Sequence, residues 1–237
     1  KKEIKEIFKI LNEGQPSKQR NAMFVGGCVR NFLENEKIDD IDIATIFSPN
    51  ELKKKFQDTD IKIVETGIEH GSVTLIKENY KVEITTLRRD IKTDGRHAEI
   101  DYTNSWQEDS DRRDFTINSI YLSEKGKVFD PQMGSQDLKN KIVKFIGDPN
   151  LRITEDYLRI LRLIRFSIMY NSTPDNSTIQ AIKTNINGIK KLSKERIFLE
   201  LKKIIKLENL HIINDKNDLK EIFEVIFPEI KYLNRLN

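Results

Sequence analysis

A single change of hydrophobic period divides this sequence and constrains its fold more than any other feature. Up to residue 146, short apolar runs alternate with turns and isolated helices; from about Leu151, one amphipathic helix follows another. The pattern predicts an α+β fold, with a mixed small sheet and its helices over residues 1–146 and an all-α module over residues 147–237. The boundary is expected at Gly147-Asp148-Pro149, where Gly and Pro punctuate the chain. In the first module Ala22 to Val25 is an apolar run ending in Gly26-Gly27, ahead of a helix over Val29 to Asn35 and a strand over Ile41 to Ala44. Ser48-Pro49 caps a helix through Leu52 and Phe56. Ser72 to Ile76 and Lys81 to Leu87 alternate as paired strands joined at Glu78-Asn79. In the second module a helix beginning at Thr154 aligns Leu158, Leu161, Ile164 and Ile168 on one face, and further helices are expected at Ser177 to Thr184, Ser193 to Lys206 and Leu219 to Ile226.

Composition removes several function classes. No apolar run approaches the ~20 residues of a membrane span, and 37% hydrophobic with 33% charged residues describes a globular chain. The single Cys28 excludes an internal disulfide framework, no Cys/His cluster has zinc spacing, and the start carries no secretory-signal series. A reducing cytoplasm is the expected location. The net charge of +3 says little about nucleic acid, so distribution matters more. Lys53 to Lys55, then Lys190, Lys191 and Lys194, then Lys202, Lys203 and Lys206 form clusters suited to RNA phosphates or, equally, to a solvated helix face.

Chemistry is concentrated in the first module. Asp40-Ile41-Asp42-Ile43 alternates in polarity, so a strand there turns both carboxylates to one face. Glu83 sits in the alternating run Val82-Glu83-Ile84-Thr85, and a neighbouring strand would bring it beside the pair. Three clustered carboxylates repel one another unless a divalent ion lies between them. Asp-x-Asp by itself is common on exposed strands; its context here is Gly26-Gly27-Cys28-Val29-Arg30, whose paired glycines let backbone N–H groups approach a phosphate and whose Arg30 adds a forked donor. The P-loop pattern G-x-x-x-x-G-K-[ST] is absent.

These segments together resemble the class II tRNA nucleotidyltransferases and bacterial poly(A) polymerases of the polymerase-β-like superfamily, over roughly residues 20 to 230. Gly26 to Arg30 followed by Asp40 to Thr45 is similar to the nucleotidyltransferase signature; Asp94-Gly95-Arg96-His97 resembles the flexible loop; Arg112-Arg113-Asp114-Phe115-Thr116-Ile117-Asn118 resembles the ribose- and phosphate-contacting motif. Asp130-Pro131, Gly134 and Asp137-Leu138 resemble the head-to-neck hinge, Glu155-Asp156-Tyr157-Leu158-Arg159 with Arg162 and Arg165 the nucleotide-recognition helix, and Ser193 to Ile197 a later neck motif. The resemblance implies a polymerase-β-like head followed by a helical neck and the start of a body. It implies Mg²⁺ held by Asp40 and Asp42 with Glu83 completing the site, nucleotide contacts from Gly26, Gly27, Arg30, Arg112, Arg113, Asp114, Asn118, Asp156, Arg159, Arg162 and Arg165, and tRNA, ATP and CTP as partners. An oligomer is compatible with the sequence but not predicted by it.

The implied activity is addition of CCA to the 3′ end of tRNA. Thr66 to Thr74 resembles the corresponding segment of CCA-adding enzymes, and the Asp94 to His97 loop disfavours a CC-only enzyme. An A-adding enzyme, a poly(A) polymerase and a non-catalytic tRNA-binding paralogue are the alternatives. Asp156, Arg159 and Arg162, spaced along one helix face, would pair with the amino group and ring nitrogen that cytosine and adenine share. A surface ion pair between Glu155 and Arg159 is the plainer reading of that spacing. Two departures stand out: Asn31 replaces the usual Asp after Val-Arg, which would loosen Arg30, and Tyr157 replaces the usual Pro. Family members also continue past the counterpart of Phe227-Pro228-Glu229 into body and tail regions.

Overall fold

The computed structural model describes residues 2–13, 21–68, 71–93 and 98–229. The described residues form two compact units, one up to Ser135 and one from Gln136. The first opens with α1 (Lys2–Asn12), β1 (Ala22–Val25), α2 (Gly27–Leu33), β2 (Asp42–Thr45) and α3 (Pro49–Phe56). The strands β3 (Lys62–Gly67), β4 (Ser72–Lys77), β5 (Tyr80–Thr86), β6 (Arg88–Thr93) and β7 (Ala98–Tyr102) follow, then α4 (Trp106–Asp111), β8 (Tyr121–Leu122) and β9 (Val128–Phe129). A seven-stranded sheet runs β3-β4-β5-β2-β1-β8-β9, and β6 pairs separately with β7. The β2–β5 pair is parallel, and the other pairings in the large sheet are antiparallel.

Local chemistry explains several of these elements. Ser48 and Glu51 form a complete capping box, the hydroxyl accepting from the Glu51 amide and the carboxylate accepting from the Ser48 amide at 2.8 Å, with Pro49 in the first turn; such a cap contributes about 1 kcal/mol. β4 and β5 meet through Glu78-Asn79, and Glu78 adopts φ 52°, the left-handed conformation this tight link needs. Ile43, Val82 and Ile84 join Ile7, Phe8 and Leu11 of α1 and Leu52 and Phe56 of α3 in one core. Ala44 packs instead with Met23, Val25, Leu87 and Tyr121. Because strand side chains alternate, Asp42 and Glu83 share the face opposite α1 and α3.

The strand expected from Ile41 starts one residue later, at Asp42. Asp40 precedes the strand and is exposed, so alternation along a strand does not position it; the ladder reaches back only to the Ile41 carbonyl, which accepts from the Glu83 amide at 3.0 Å.

After α5 (Gly134–Lys139), which spans the change of unit, the second unit consists of α6 (Pro149–Glu155), α7 (Leu158–Met169), α8 (Asn176–Asn185), α9 (Lys194–Ile205) and α10 (Asn217–Ile226), with short 3₁₀ stretches between them. Asp148, Asp175 and Ser193 cap α6, α8 and α9 through side-chain acceptors. Helix α7 is central, burying Ile160, Leu161, Leu163, Ile164, Phe166 and Ile168. The helix expected from Thr154 is broken. Thr154 belongs to the end of α6, its hydroxyl donating to the Asn150 and Leu151 carbonyls at 2.9 and 3.0 Å, and α7 begins only at Leu158. Asp156 between them is extended, with φ −155° and ψ 105°. No helix among the described residues is long and apolar enough to cross a membrane.

Candidate active site

Asp42 and Glu83 stand opposite each other across the parallel β2–β5 pair. Burial and the neighbouring charges of Glu83 and Asp40 push the Asp42 carboxyl up to about 6, against the opposing pull of Arg113. Carboxylates held this way repel, and among the described residues no three His, Cys, Asp or Glu side chains close into a preformed metal cage. The register brings together Asp42 and Glu83 as a pair of hard oxygen donors, with Asp40 exposed just before the strand and acting on Asp42 by its charge. Mg²⁺ suits such a set, since it is commonly held by one or two carboxylates with water and phosphate oxygens filling the remaining positions.

The Gly-rich turn lies directly over this face. Gly26 has φ 75°, and a β-carbon there would stand 3.6 Å from Asp42 Oδ2, so the backbone passes close to the carboxylate only in a conformation that side chains disfavour. Cys28 is buried; its thiol donates to the Val25 carbonyl at 3.2 Å and the Asp42 carbonyl at 3.5 Å, tying the turn to β2. Burial raises its pKa, which fits packing and not nucleophilic attack.

Arg30 is buried, and its guanidinium donates to Asn118 Oδ1, whose amide in turn donates to Asp114 Oδ1 at 3.0 Å. Arg30 thus joins Asp114 and Asn118, which lie more than 80 residues further along the chain, in one chain of contacts. Asn31 does not loosen it: its amide donates 2.8 Å to the Lys37 carbonyl, a bond that an ionised Asp has no proton to make, and Arg30 is fixed from Asn118 instead.

Arg112 and Arg113 converge on a residue that the sequence reading missed. Asp109, only 1% exposed, accepts from Arg112 Nη2 at 2.6 Å, Arg113 Nη2 at 2.9 Å and the Tyr121 hydroxyl at 2.7 Å. Burial alone would raise its pKa, but Arg113 and Arg112 outweigh burial and hold the carboxyl well below the usual range. Arg112 also donates to the Arg88 carbonyl at 3.1 Å. The available signal was the spacing of Asp109 three and four residues before the arginines, which places all three on one helical turn.

In the helical unit the carboxylate of Asp156 accepts 2.7 Å from Arg196 of α9 and 3.1 Å from the Leu158 amide. Arg159 donates to Glu155 and, at 2.9 Å, to the Arg152 carbonyl, so the ion pair allowed by its spacing does form. Asp156 precedes α7 and Arg159 lies within its first turn, so the two are not on one helix face. Arg162 lies 5.8 Å from the Phe166 ring centroid, and Arg165 is bound to Glu200, itself 3% exposed, which makes it a tie between α7 and α9. Of the basic clusters, Lys53 pairs with Glu65 and Lys55 lies 4.4 Å from the Phe47 ring centroid. The Asp94 to His97 loop lies outside the described residues.

Comparison with known proteins gives this geometry a family. Residues 22–144 match the model of the Poly A polymerase head domain, and residues 173–233 match one described as "Probable RNA and SrmB- binding site of polymerase A". The mouse protein "CCA tRNA nucleotidyltransferase 1, mitochondrial" is 42% identical over 98% of this chain and 55% of its own length. A crystal structure of the Bacillus stearothermophilus CCA-adding enzyme in complex with CTP superimposes with a TM-score of 0.72 at 32% identity, covering 86% of this chain and 48% of that one. A tRNA nucleotidyltransferase complexed with a primer tRNA and an incoming ATP analog gives 0.71 at 27% identity, over 87% and 59%. The chain spans about half the length of the curated relatives it matches. With a head-domain match over more than half of its residues, around the Asp42–Glu83 pair and the Gly-rich turn, this chain belongs to the poly(A) polymerase head domain family of nucleotidyltransferases.

Proposed function

We propose that this chain carries the catalytic head and nucleotide-reading neck of a CCA-adding tRNA nucleotidyltransferase, transferring CMP and AMP from CTP and ATP to the tRNA 3′ end with release of pyrophosphate. The observation that supports this most directly is the register pairing of Asp42 with Glu83 beneath the Gly26 turn. Relatives whose names and titles state CCA addition, CTP and primer tRNA support the substrate class.

Asp40, Asp42 and Glu83 would hold Mg²⁺, which when bound activates the attacking hydroxyl and offsets charge on the departing pyrophosphate. The chain's own residues orient the reactants. Backbone N–H groups of the Gly26-Gly27 turn face the phosphates, and Arg30 supplies a positive charge held in place by Asn118. Arg112 and Arg113 are fixed by Asp109, so they meet a triphosphate without first losing side-chain freedom. Asp156, Arg159 and Arg162 read the edge common to cytosine and adenine; guanine and uracil present a carbonyl and N–H there, and one buried mispairing costs ~1–3 kcal/mol. The single cysteine fits a reducing compartment, and the cytoplasm is the proposed setting.

Primer extension tests this reading, using tRNA ending before CCA, tRNA ending in CC and an unrelated RNA, each with single NTPs and Mg²⁺, beside Asp42→Ala. Addition of C, C and A followed by a stop is expected. A alone on the CC substrate means an A-adding enzyme, tailing of any RNA means a poly(A) polymerase, and binding without transfer overturns the catalytic reading.

A further inference from the structure

The break between α6 and α7 falls at Asp156-Tyr157. Tyr157 has φ −61° and ψ −17°, and the residue before it is extended. These are the conformations that Pro and a pre-proline residue favour. Nothing covalent holds them here. The Tyr157 ring instead lies against Gly188, in the 3₁₀ stretch Ile186–Lys191: a β-carbon on Gly188 would fall 2.0 Å from Tyr157 Cε1, 2.1 Å from Cδ1 and 2.4 Å from Cζ. The Lys191 ammonium is 5.5 Å from the same ring centroid.

We infer that Tyr157 and Gly188 form a positioning pair, in which the ring seated on the bare backbone of Gly188 sets the break that aims Asp156 and Arg159, by packing where a proline would do so by its own ring. The residues immediately flanking Tyr157 carry the polar contacts: Asp156 binds Arg196 and the Leu158 amide, and Arg159 starts α7. Displacing the ring would move both. A β-carbon at 188 displaces it, whereas Pro at 157 removes the ring while retaining the backbone angles. The two sites are therefore expected to be coupled, with Gly188→Ala harmful beside Tyr157 and harmless beside Tyr157→Pro.

This inference rests on the proposal that Asp156 and Arg159 read the base. The test measures kcat/KM for CTP, ATP, UTP and GTP in wild type, Gly188→Ala, Tyr157→Ala, Tyr157→Pro and the double variant Gly188→Ala/Tyr157→Pro. Gly188→Ala and Tyr157→Ala should each lose about tenfold in preference for C and A over U and G, while both variants carrying Tyr157→Pro keep it. Unchanged preference in Gly188→Ala and Tyr157→Ala, even with a lower Tm, overturns the inference. Should wild type transfer no nucleotide, the enzymatic reading fails separately, and amide hydrogen exchange then decides the pair. Faster exchange at Leu158 in Gly188→Ala and Tyr157→Ala but not in Tyr157→Pro supports it, and equal protection in all of them refutes it.

Discussion

Asp42 should be a residue whose charge costs stability for the sake of function. Its carboxyl titrates near 3.8 when unfolded and at about 6 when folded, because burial and then Glu83 and Asp40 disfavour the anion. A folded value above the unfolded one means the folded state binds the proton more tightly, so stability falls as pH rises from about 4 to about 6 and the full penalty applies above that. At about 1.36 kcal/mol for each pH unit between the two values, the penalty approaches 3 kcal/mol. Partial solvent access at the half-buried carboxylate screens this to about 1–2 kcal/mol. Asp42→Asn removes the charge at nearly constant shape and should raise Tm by about 2–6 °C in EDTA at about pH 7.5, while abolishing transfer. The gain should shrink to about half at pH 5, where wild-type Asp42 is mostly protonated. Mg²⁺ should raise the Tm of wild type and leave that of the variant nearly unchanged. Thermal melts by circular dichroism in both buffers decide it; an Asp42→Asn variant no more stable than wild type at pH 7.5 refutes the electrostatic argument.

Asp109→Asn should destabilise by about 3–5 kcal/mol, since it leaves Arg112 and Arg113 together in a buried site without their counter-charge, and urea unfolding measures this. The depressed folded pKa of Asp109 makes its contribution full above the unfolded value of 3.8 and lost as pH falls through the folded value, so the difference between variant and wild type should narrow only in strong acid. Gly134→Ala should be poorly tolerated, because its β-carbon would lie 2.0 Å from the Thr116 carbonyl oxygen, which as backbone cannot swing aside; soluble yield and Tm should both drop. Replacing the exposed Lys202 and Lys203 by Gln should lower the slope of log affinity for tRNA against log salt by about 1–2. An unchanged slope removes both residues from the RNA interface.

Much of this protein was legible in one dimension wherever a local rule governs. The change of hydrophobic period separates the strand-rich stretch from the helical one, the Ser48-Pro49 cap stands where α3 begins, and the helix expected from Ser193 is α9; α6, capped by Asp148, was not expected. Alternation in Val82-Glu83-Ile84 predicted a strand with Glu83 turned from the core, because strand periodicity acts on neighbouring residues alone. Side-chain partners at long range were not legible. Glu83 was expected beside Asp42, but that β5 runs parallel to β2 to put it there, that Asn118 holds Arg30 across 88 positions, and that Arg196 reaches Asp156 from α9 all depend on how elements stack. The break at Asp156 was equally hidden, since the apolar spacing of Leu158, Leu161 and Ile164 remains helical on one side of it and nothing nearby in sequence announces Gly188. Residue types and local periods thus determined the elements and the chemistry available to them. Only the tertiary structure decided which charges face one another, because burial and electrostatic proximity are properties of packed surfaces and not of sequence order.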